Sequence, residues 1–452
     1  MLGLLSLAVP GTAFATGGTT PAAVRLQLDP FAKLRAIDDG RMASSWSSLP
    51  EGHDCRATEP GITGHVLGLA ASDDAAKDHR TGSFDLIDPR YRLQVDTTVH
   101  YGCVFGQLAV QRQADAQGDT WAMDGSALSW RIDEHWRVGA GLIARQWGPA
   151  WDGSLILGTA ARPFANASLD ASSGALPRSS FWWWLGEVEF NTFFGQLEAD
   201  RGDYARPYLM GTRLVIRPWP FLELGASRTA LWGGEGRDNS LSAFWKAVTG
   251  RDNQDVPIDS AEQPGNQLGG FDARVNLSAW LPGFAAYGQM IGEDEAASLP
   301  SKYMFQAGVD WRYEGALAFA EWTDSTAKLA GVAYNHHIYT DGYRTQGRPL
   351  GHWGDGDSNL WTVGGLVPDL AGGHALAVLR YGTLNDAGVN PTWPPSRLVG
   401  ASLQWRTLID RVLGLTFAFD YFRLSDRAPD SASTRPTQSD AQLRVQLDWW
   451  LN

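Results

Sequence analysis

Three tryptophans of this sequence sit among polar residues in segments rich in turn formers. Trp353 lies between His352 and the pair Asp355 and Asp357, and Trp232 precedes Glu235 and Arg237. Trp393 occupies the proline-rich run Asn390-Pro-Thr-Trp-Pro-Pro395. An exposed aromatic face beside hydrogen-bonding groups suits the C–H faces of sugars. The stiffness of the proline-rich run lowers the entropy lost on binding. The competing expectation for each tryptophan is a loop packed against the rest of the fold. The basic residues offer a second chemistry. Of 37 Lys and Arg, only Lys33, Lys77, Lys246, Lys302 and Lys328 are lysines. A guanidinium is a planar donor fork that fits carboxylates and works in partly buried places. This composition suits either internal pairing with Asp and Glu or contact with an anionic glycan.

Catalytic chemistry finds less support. His336 and His337 are adjacent, so on a strand they point opposite ways, and a zinc site is not expected. Asp355 and Asp357 resemble a fragment of a calcium loop without the spacing of an EF-hand. Paired carboxylates hydrolyse glycosidic bonds in some enzymes, but a chain with 50 acidic residues supplies such pairs by chance. The sequence contains no nucleophile elbow or phosphate loop. No enzyme, cofactor or metal is expected.

The elements that must position these residues alternate with a period of two. Phe271, Ala273, Val275, Leu277, Ala279 and Leu281 point one way, against Asp272, Arg274, Asn276 and Ser278. Tyr303, Phe305, Ala307, Val309, Trp311 and Tyr313 alternate with Gln306, Asp310 and Arg312. The same holds for Val399 to Trp405, followed by Arg406, and for Leu443 to Leu451, with Arg444 on the polar row. Such strands need two solvents. An outer-membrane barrel supplies lipid and a polar lumen, with strands of about 10 residues and aromatic girdles. Short connections such as Arg217-Pro-Trp-Pro220 and Leu281-Pro-Gly283 alternate with long polar ones at 232–269 and 425–440. The fold expected is therefore all-β: a transmembrane outer-membrane barrel of about 18 antiparallel strands, or 16, since strand numbers are even. On this map Trp232, Trp353 and Trp393 fall in external loops. Parity asks for strands at Ala316–Asp324, Ala327–Ile338 and Tyr343–Pro349, with 350–359 outside the cell. It puts the connection Trp147–Ser180 on the periplasmic side, where folding inward would occlude the lumen.

Leu2 to Ala15 is a short apolar stretch ending Ala13-Phe-Ala15, the pattern of a signal peptide and too short to cross a bilayer as a helix. Three regions follow: 1–15 as a signal peptide, 16–89 as a short N-terminal periplasmic segment or plug, with a possible helix over Leu34–Ser48, and 90–452 as the barrel. Export would place Cys55 and Cys103 in an oxidising compartment, where they either pair or remain buried thiols. A net charge of -13 disfavours nucleic acid as a partner. An 11% aromatic content excludes a disordered chain, and two cysteines exclude a disulfide scaffold.

Several stretches resemble the Wzi-like capsule-assembly proteins of the Gram-negative outer membrane. They are Arg145-Gln-Trp-Gly-Pro-Ala-Trp-Asp-Gly-Ser-Leu-Ile-Leu157 with Ala161-Arg162-Pro163, then Gly195-Gln-Leu-Glu198 with Asp200-Arg201. Ser227-Arg228-Thr229, Trp232 to Arg237 and Asn266-Gln267 follow. The longest is Tyr334-Asn-His-His-Ile-Tyr-Thr-Asp-Gly-Tyr-Arg344, continued by Gly347-Arg348-Pro-Leu-Gly-His352. The resemblance covers roughly residues 90–452. It implies an 18-stranded barrel acting as a lectin that helps attach capsular or other extracellular polysaccharide to the cell surface. The region before residue 90 is short for the helical bundle usual in the family. The polysaccharide candidates are Trp232, Glu235, Arg237, Arg348, His352, Trp353, Asp355, Asp357 and Trp393. Arg162, Glu198, Arg201, Arg228, Arg274, Asp310, Arg312, Arg406 and Arg444 are expected to form a lumen or plug network. Polysaccharide, outer-membrane lipid and the barrel-assembly machinery are the expected partners. A porin or polysaccharide-export channel is the alternative.

Overall fold

A computed structural model describes residues 45–47, 55, 61–71, 91–115, 118–176, 178–249, 265–296, 299–326, 331–393, 395–410, 412–426 and 438–451. Eighteen antiparallel strands close into one barrel. They are β1 Gly61–Ala71, β2 Tyr91–Tyr101, β3 Val104–Asp115, and β4, which is broken into Gly118–Ala122 and Ala127–Arg131 that both pair with β3. Then come β5 Trp136–Leu142, β6 Ala165–Ser173, β7 Glu187–Gln196, β8 Tyr208–Trp219 and β9 Leu222–Trp232. The remainder are β10 Gly265–Asn276, β11 Phe284–Ala296, β12 Leu299–Tyr313, β13 Ala316–Asp324, β14 Asn359–Leu370, β15 Gly373–Leu384, β16 Ser396–Leu408, β17 Leu413–Asp426 and β18 Gln438–Leu451. Helix α1 (Leu241–Thr249) follows β9.

The alternating rows behave as the two-solvent argument requires. Phe271, Val309, Trp311, Val399, Leu403, Leu447 and Trp449 are exposed on the outer face. Asp272, Arg274, Asp310 and Arg444 on the opposite rows are buried in the lumen. Aromatic residues ring the ends of the wall, including Trp130, Trp136, Trp219, Phe221 and Trp280 at the short-turn end and Trp361 and Tyr381 towards the other. A band of this kind sits at a membrane interface. The last strand ends beside the start of β1, so the short turns share one end with both termini of the barrel. That end is periplasmic and the long-loop end is external.

Several expectations need correction. The wall begins at Gly61, not near residue 90, because β1 hydrogen-bonds both β2 and β18. His65 lies at this seam, with Nδ1 3.2 Å from Asp96 and Nε2 3.3 Å from Asp448. Gln94 and Gln446 donate to those same two carboxylates. The segment 331–338 is a series of turns, and Tyr343–Pro349 yields only the small hairpin Arg344–Thr345 with Arg348–Pro349. The barrel therefore passes directly from β13 to β14. The stretch 147–180 contains β6, and its first part enters from the external end, not the periplasmic one. Among the described N-terminal residues, Ser45–Ser47 pair antiparallel with Arg145–Trp147. Cys55 and Cys103 form a disulfide that ties this segment to the β2–β3 turn. The expected signal peptide lies outside the described residues, as does most of the stretch expected as a helix over Leu34–Ser48.

Candidate functional site

Two stretches of chain fill the lumen. The first, residues 143–164, turns inward between β5 and β6, and Ile143 to Leu157 are all buried. Its apolar residues Trp147, Leu155, Ile156 and Leu157 meet Phe193, Leu209, Leu231 and Ile291 of the wall. Gly211 permits this approach, since a Cβ there would lie 2.4 Å from the Phe193 ring and 2.8 Å from Trp147. Polar groups fix the stretch against the wall. Glu321 of β13 accepts the Trp151 and Asp152 amides and the Tyr287 hydroxyl at 2.5, 3.0 and 2.7 Å. Asp152 accepts from Arg380 Nη2 at 2.8 Å, Thr362 Oγ1 at 2.8 Å and Trp353 Nε1 at 3.1 Å. Gln289 accepts the Leu155 amide and donates to the Trp147 carbonyl. These buried amides and carboxylates thus meet partners, as the low dielectric of the interior demands.

The second stretch, of which residues 325–326 and 331–358 are described, lies between β13 and β14. Tyr334 is its pivot: φ is +61°, its hydroxyl donates to the Leu155 carbonyl at 2.6 Å, and its amide donates to Glu293. A bulky residue in this left-handed region is strained and persists only where its surroundings hold it. Arg344 forks onto Asp355 with two bonds of 2.7 Å and donates to the Tyr334 carbonyl. Burial pushes the His352 imidazole down to about 4, so it is neutral at pH 7. Burial, with Asp386 and Asp355 nearby, holds the Asp357 carboxyl above the usual carboxylate range.

The tip of this stretch meets the loops 197–207 and 233–240 at the external end. Arg201 forks onto Asp203 at 2.7 and 3.0 Å and donates to the carbonyls of Gly342 and Arg344. Although burial opposes it, Arg201 holds the Asp203 carboxyl below its ordinary range. Glu198 accepts from the Gln346 amide and the Thr345 hydroxyl. Arg237 lies over the rings of Tyr204 at 5.0 Å and Tyr339 at 5.2 Å, a cation–π arrangement. Arg206 pairs with Glu235 in the open, His337 and Gln346 are exposed, and Arg348, two residues after Gln346, is partly exposed. The result is a polar, arginine-bearing face on a rigid support.

The expected site residues divide between three places. Glu235, Arg237 and Arg348 lie on this external face. His352, Trp353, Asp355, Asp357 and Trp393 come together, but inside: all are buried. Trp353 and Trp393 meet edge to face at 6.3 Å and line a cavity of about 10 Å³ with Arg380, Ser402 and Asp420. That volume is about one water, too small for a sugar. Trp232 ends β9 in the wall, pairs with Tyr208 and faces outward beneath α1. The three tryptophans are therefore not exposed loop aromatics. Of the lumen set, Arg274 forks onto Asp310 at 2.6 and 2.9 Å, Arg162 onto Asp124 at 2.7 and 2.9 Å, and Arg444 pairs with Asp420. Arg312 approaches Asp310 at 3.9 Å, and Arg406 shares the inward row of Ser402. Glu198 and Arg201 join the external end of the network. Arg228 does not: it lies on the outward row of β9 with Leu224 and contacts Gln267. His336 and His337 stand on a turn with ring centroids 4.5 Å apart, so the strand premise used for them was wrong.

Asp152, Tyr334 and Arg344 organise the lumen and were not singled out as site residues. The signal that marked them was membership in the two densest motif stretches, 145–157 and 334–344. Glu321, Gln289 and the pair Arg213–Asp272, joined in the lumen by two bonds of 2.6 and 2.9 Å, gave no signal beyond polar positions in alternating strands.

Eighteen antiparallel strands, an aromatic-banded apolar exterior and a polar lumen packed with the chain's own loops define an outer-membrane β-barrel with a filled interior. Residues 87–434 match the model of the capsule assembly protein Wzi family, and the chain belongs to that family. Wzi of Escherichia coli, described as an outer-membrane, carbohydrate-binding β-barrel involved in group 1 capsule assembly, superposes with a TM-score of 0.71. The two are 25% identical over 85% of this chain and 83% of that one. A Klebsiella pneumoniae protein described as an uncharacterized 55.8 kDa protein in the cps region is 40% identical over 177 residues, 38% of this chain. The chain spans about a third (33%) of the length of that curated relative.

Proposed function

We propose that this protein is an outer-membrane lectin that helps hold capsular or other extracellular polysaccharide at the cell surface. The observation that carries this reading is the external face. Arg237 over the partly exposed Tyr204 and the buried Tyr339, the exposed Arg206–Glu235 pair, Gln346 and Arg348 together offer guanidinium groups, an amide side chain and one partly exposed aromatic residue. Guanidinium forks suit the carboxylates of acidic glycans, and ring faces suit sugar C–H groups. Family membership supports the same reading. Individually weak contacts suffice, because a long repeating chain engages many barrels at once. The role is binding, not catalysis. The packed lumen argues against the alternative of a porin or export channel. Outer-membrane lipid and the barrel-assembly machinery are the partners that any such wall requires.

The test is binding of the purified barrel to the immobilised surface polysaccharide of its own host, with Arg237→Ala and Arg348→Ala as variants. A charge-assisted hydrogen bond contributes about 1.5–3 kcal/mol, so each variant is expected to weaken binding about tenfold or more. Equal binding by wild type and both variants would refute the placement of the site. No binding by the wild type would refute the lectin reading.

A further inference from the structure

We infer that α1 is an interfacial anchor that lies outside the barrel wall, against the lipid of the outer leaflet. The argument begins with which way the wall points. Phe193, Leu209 and Leu231 belong to the buried lumen core. Their neighbours Phe194, Tyr208 and Trp232 therefore point outward, and Tyr208 and Trp232 are register partners. These three rings form one outward cluster, with centroids 5.3 Å apart for Phe194–Tyr208 and 5.2 Å for Tyr208–Trp232. An outward aromatic at a strand's end is ordinarily open, as Trp361 is at 56% exposure, yet Trp232 is only 4% exposed. What covers it is α1: Ala243 packs on Trp232, and the Phe244 ring lies 5.5 Å from it and 6.4 Å from Phe194. The helix α1 thus lies outward over the aromatic girdle, while residues 233–240 before it stay at the mouth.

The rest of the helix follows helical geometry. Leu241 and Trp245 are four residues apart and so share a face. They are exposed at 71% and 55%, on a side of the helix not turned to the wall. Ser242, also exposed, lies about 100° round from Leu241 and about 60° beyond Trp245, on the side away from Phe244. Wall, apolar flank and polar flank therefore occupy three sides. That is the arrangement of a helix lying in the plane of a membrane interface, its apolar side chains entering the acyl boundary. The girdle it rests on sets its depth, because a Trp and Tyr band marks the headgroup level. The occupant that fits is outer-leaflet lipid: the apolar flank adjoins the outward face of the wall, Trp245 against Phe244 and Phe244 against Phe194, itself 42% exposed.

The experiment uses the full chain in vesicles of phosphatidylethanolamine and rough lipopolysaccharide. Both native cysteines are in the disulfide, so a spin label goes to one introduced thiol. Leu241→Cys, Ser242→Cys and Trp245→Cys are labelled separately, and heat-modifiable migration confirms a closed barrel in each. Collisional accessibility is then read with oxygen and a water-soluble nickel chelate. The expected result is an oxygen-to-nickel ratio several-fold higher at 241 and 245 than at 242. Equal, nickel-dominated accessibility at all three positions would overturn the anchor. So would dipolar broadening at 245 that disappears on dilution with unlabelled protein, because a second copy of the chain would then occupy the face.

Discussion

Replacing Asp152 by Asn tests how the lumen is kept closed. The carboxylate sits under Arg380, Thr362 and Trp353, and Asp152 and Arg380 are both buried. Asn keeps the shape and some hydrogen bonds but leaves the Arg380 guanidinium, which also lies 5.6 Å over Trp353, without this carboxylate. Removing one partner of a buried ion pair costs about 3–5 kcal/mol. At about 1.4 kcal/mol per tenfold, the released form of the inner loop rises by about two to three and a half powers of ten. The wall strands do not depend on Asp152, so the penalty is paid by the loop and not by the barrel. Planar-bilayer recordings are the assay: wild type is expected to be silent, and Asp152→Asn to show flickering openings while heat-modifiable migration is kept. Adding Arg380→Met removes the stranded charge and is expected to suppress most of those openings. A silent Asp152→Asn, or a double mutant noisier than the single, would refute the claim that this ion pair holds the loop.

Four other outcomes follow from the same structure. His352 has a folded pKa of about 4 against an ordinary 6.5, so the inner loops are expected to lose up to about 3 kcal/mol as pH falls from 6.5 to 4. Hydrogen exchange of the loop amides against pH measures this, and His352→Gln should flatten the profile. The raised Asp357 works the other way at the acid end of that window, because its folded form binds the proton more readily, so Asp357→Asn should steepen the loss. Cys55→Ser/Cys103→Ser opens a loop closed over a separation of 48 residues, about 4 kcal/mol in the chain-entropy account. Limited proteolysis should then cut the N-terminal segment while the barrel stays closed. Gly211→Ala should displace Trp147 and raise loop exchange, whereas Gly68→Ala, where nothing lies within 4 Å, should do neither.

The wall was legible because lipid and lumen sort residues by a period of two, and rows such as Tyr303 to Tyr313 carry that contrast through Gln306, Asp310 and Arg312. Where the contrast fades, the sequence is silent. In β1 the inward row includes Leu67 and Leu69 and the outward row Gly64 and Gly68, so the first strand is hidden. The inward fold of 143–164 and 331–358 was not readable either. A loop that buries its polar groups in a wet, charged lumen has the composition of a loop in water. His352-Trp-Gly-Asp-Gly-Asp357 therefore looked like an exposed sugar site when it is buried inside the barrel. The direction of Arg228 and Trp232 depended on a register that only pairing reveals, and a one-residue shift reverses every side chain.

The central claim is that the filled barrel holds polysaccharide at the surface through its external face. The most direct measurement is the ratio of cell-bound to released surface polysaccharide in a host lacking this protein, complemented with wild type or with Arg237→Ala/Arg348→Ala at matched outer-membrane levels. The account predicts that deletion shifts polysaccharide into the medium, wild type restores attachment, and the double variant restores little. Full attachment without the protein, or full rescue by the double variant, would contradict it.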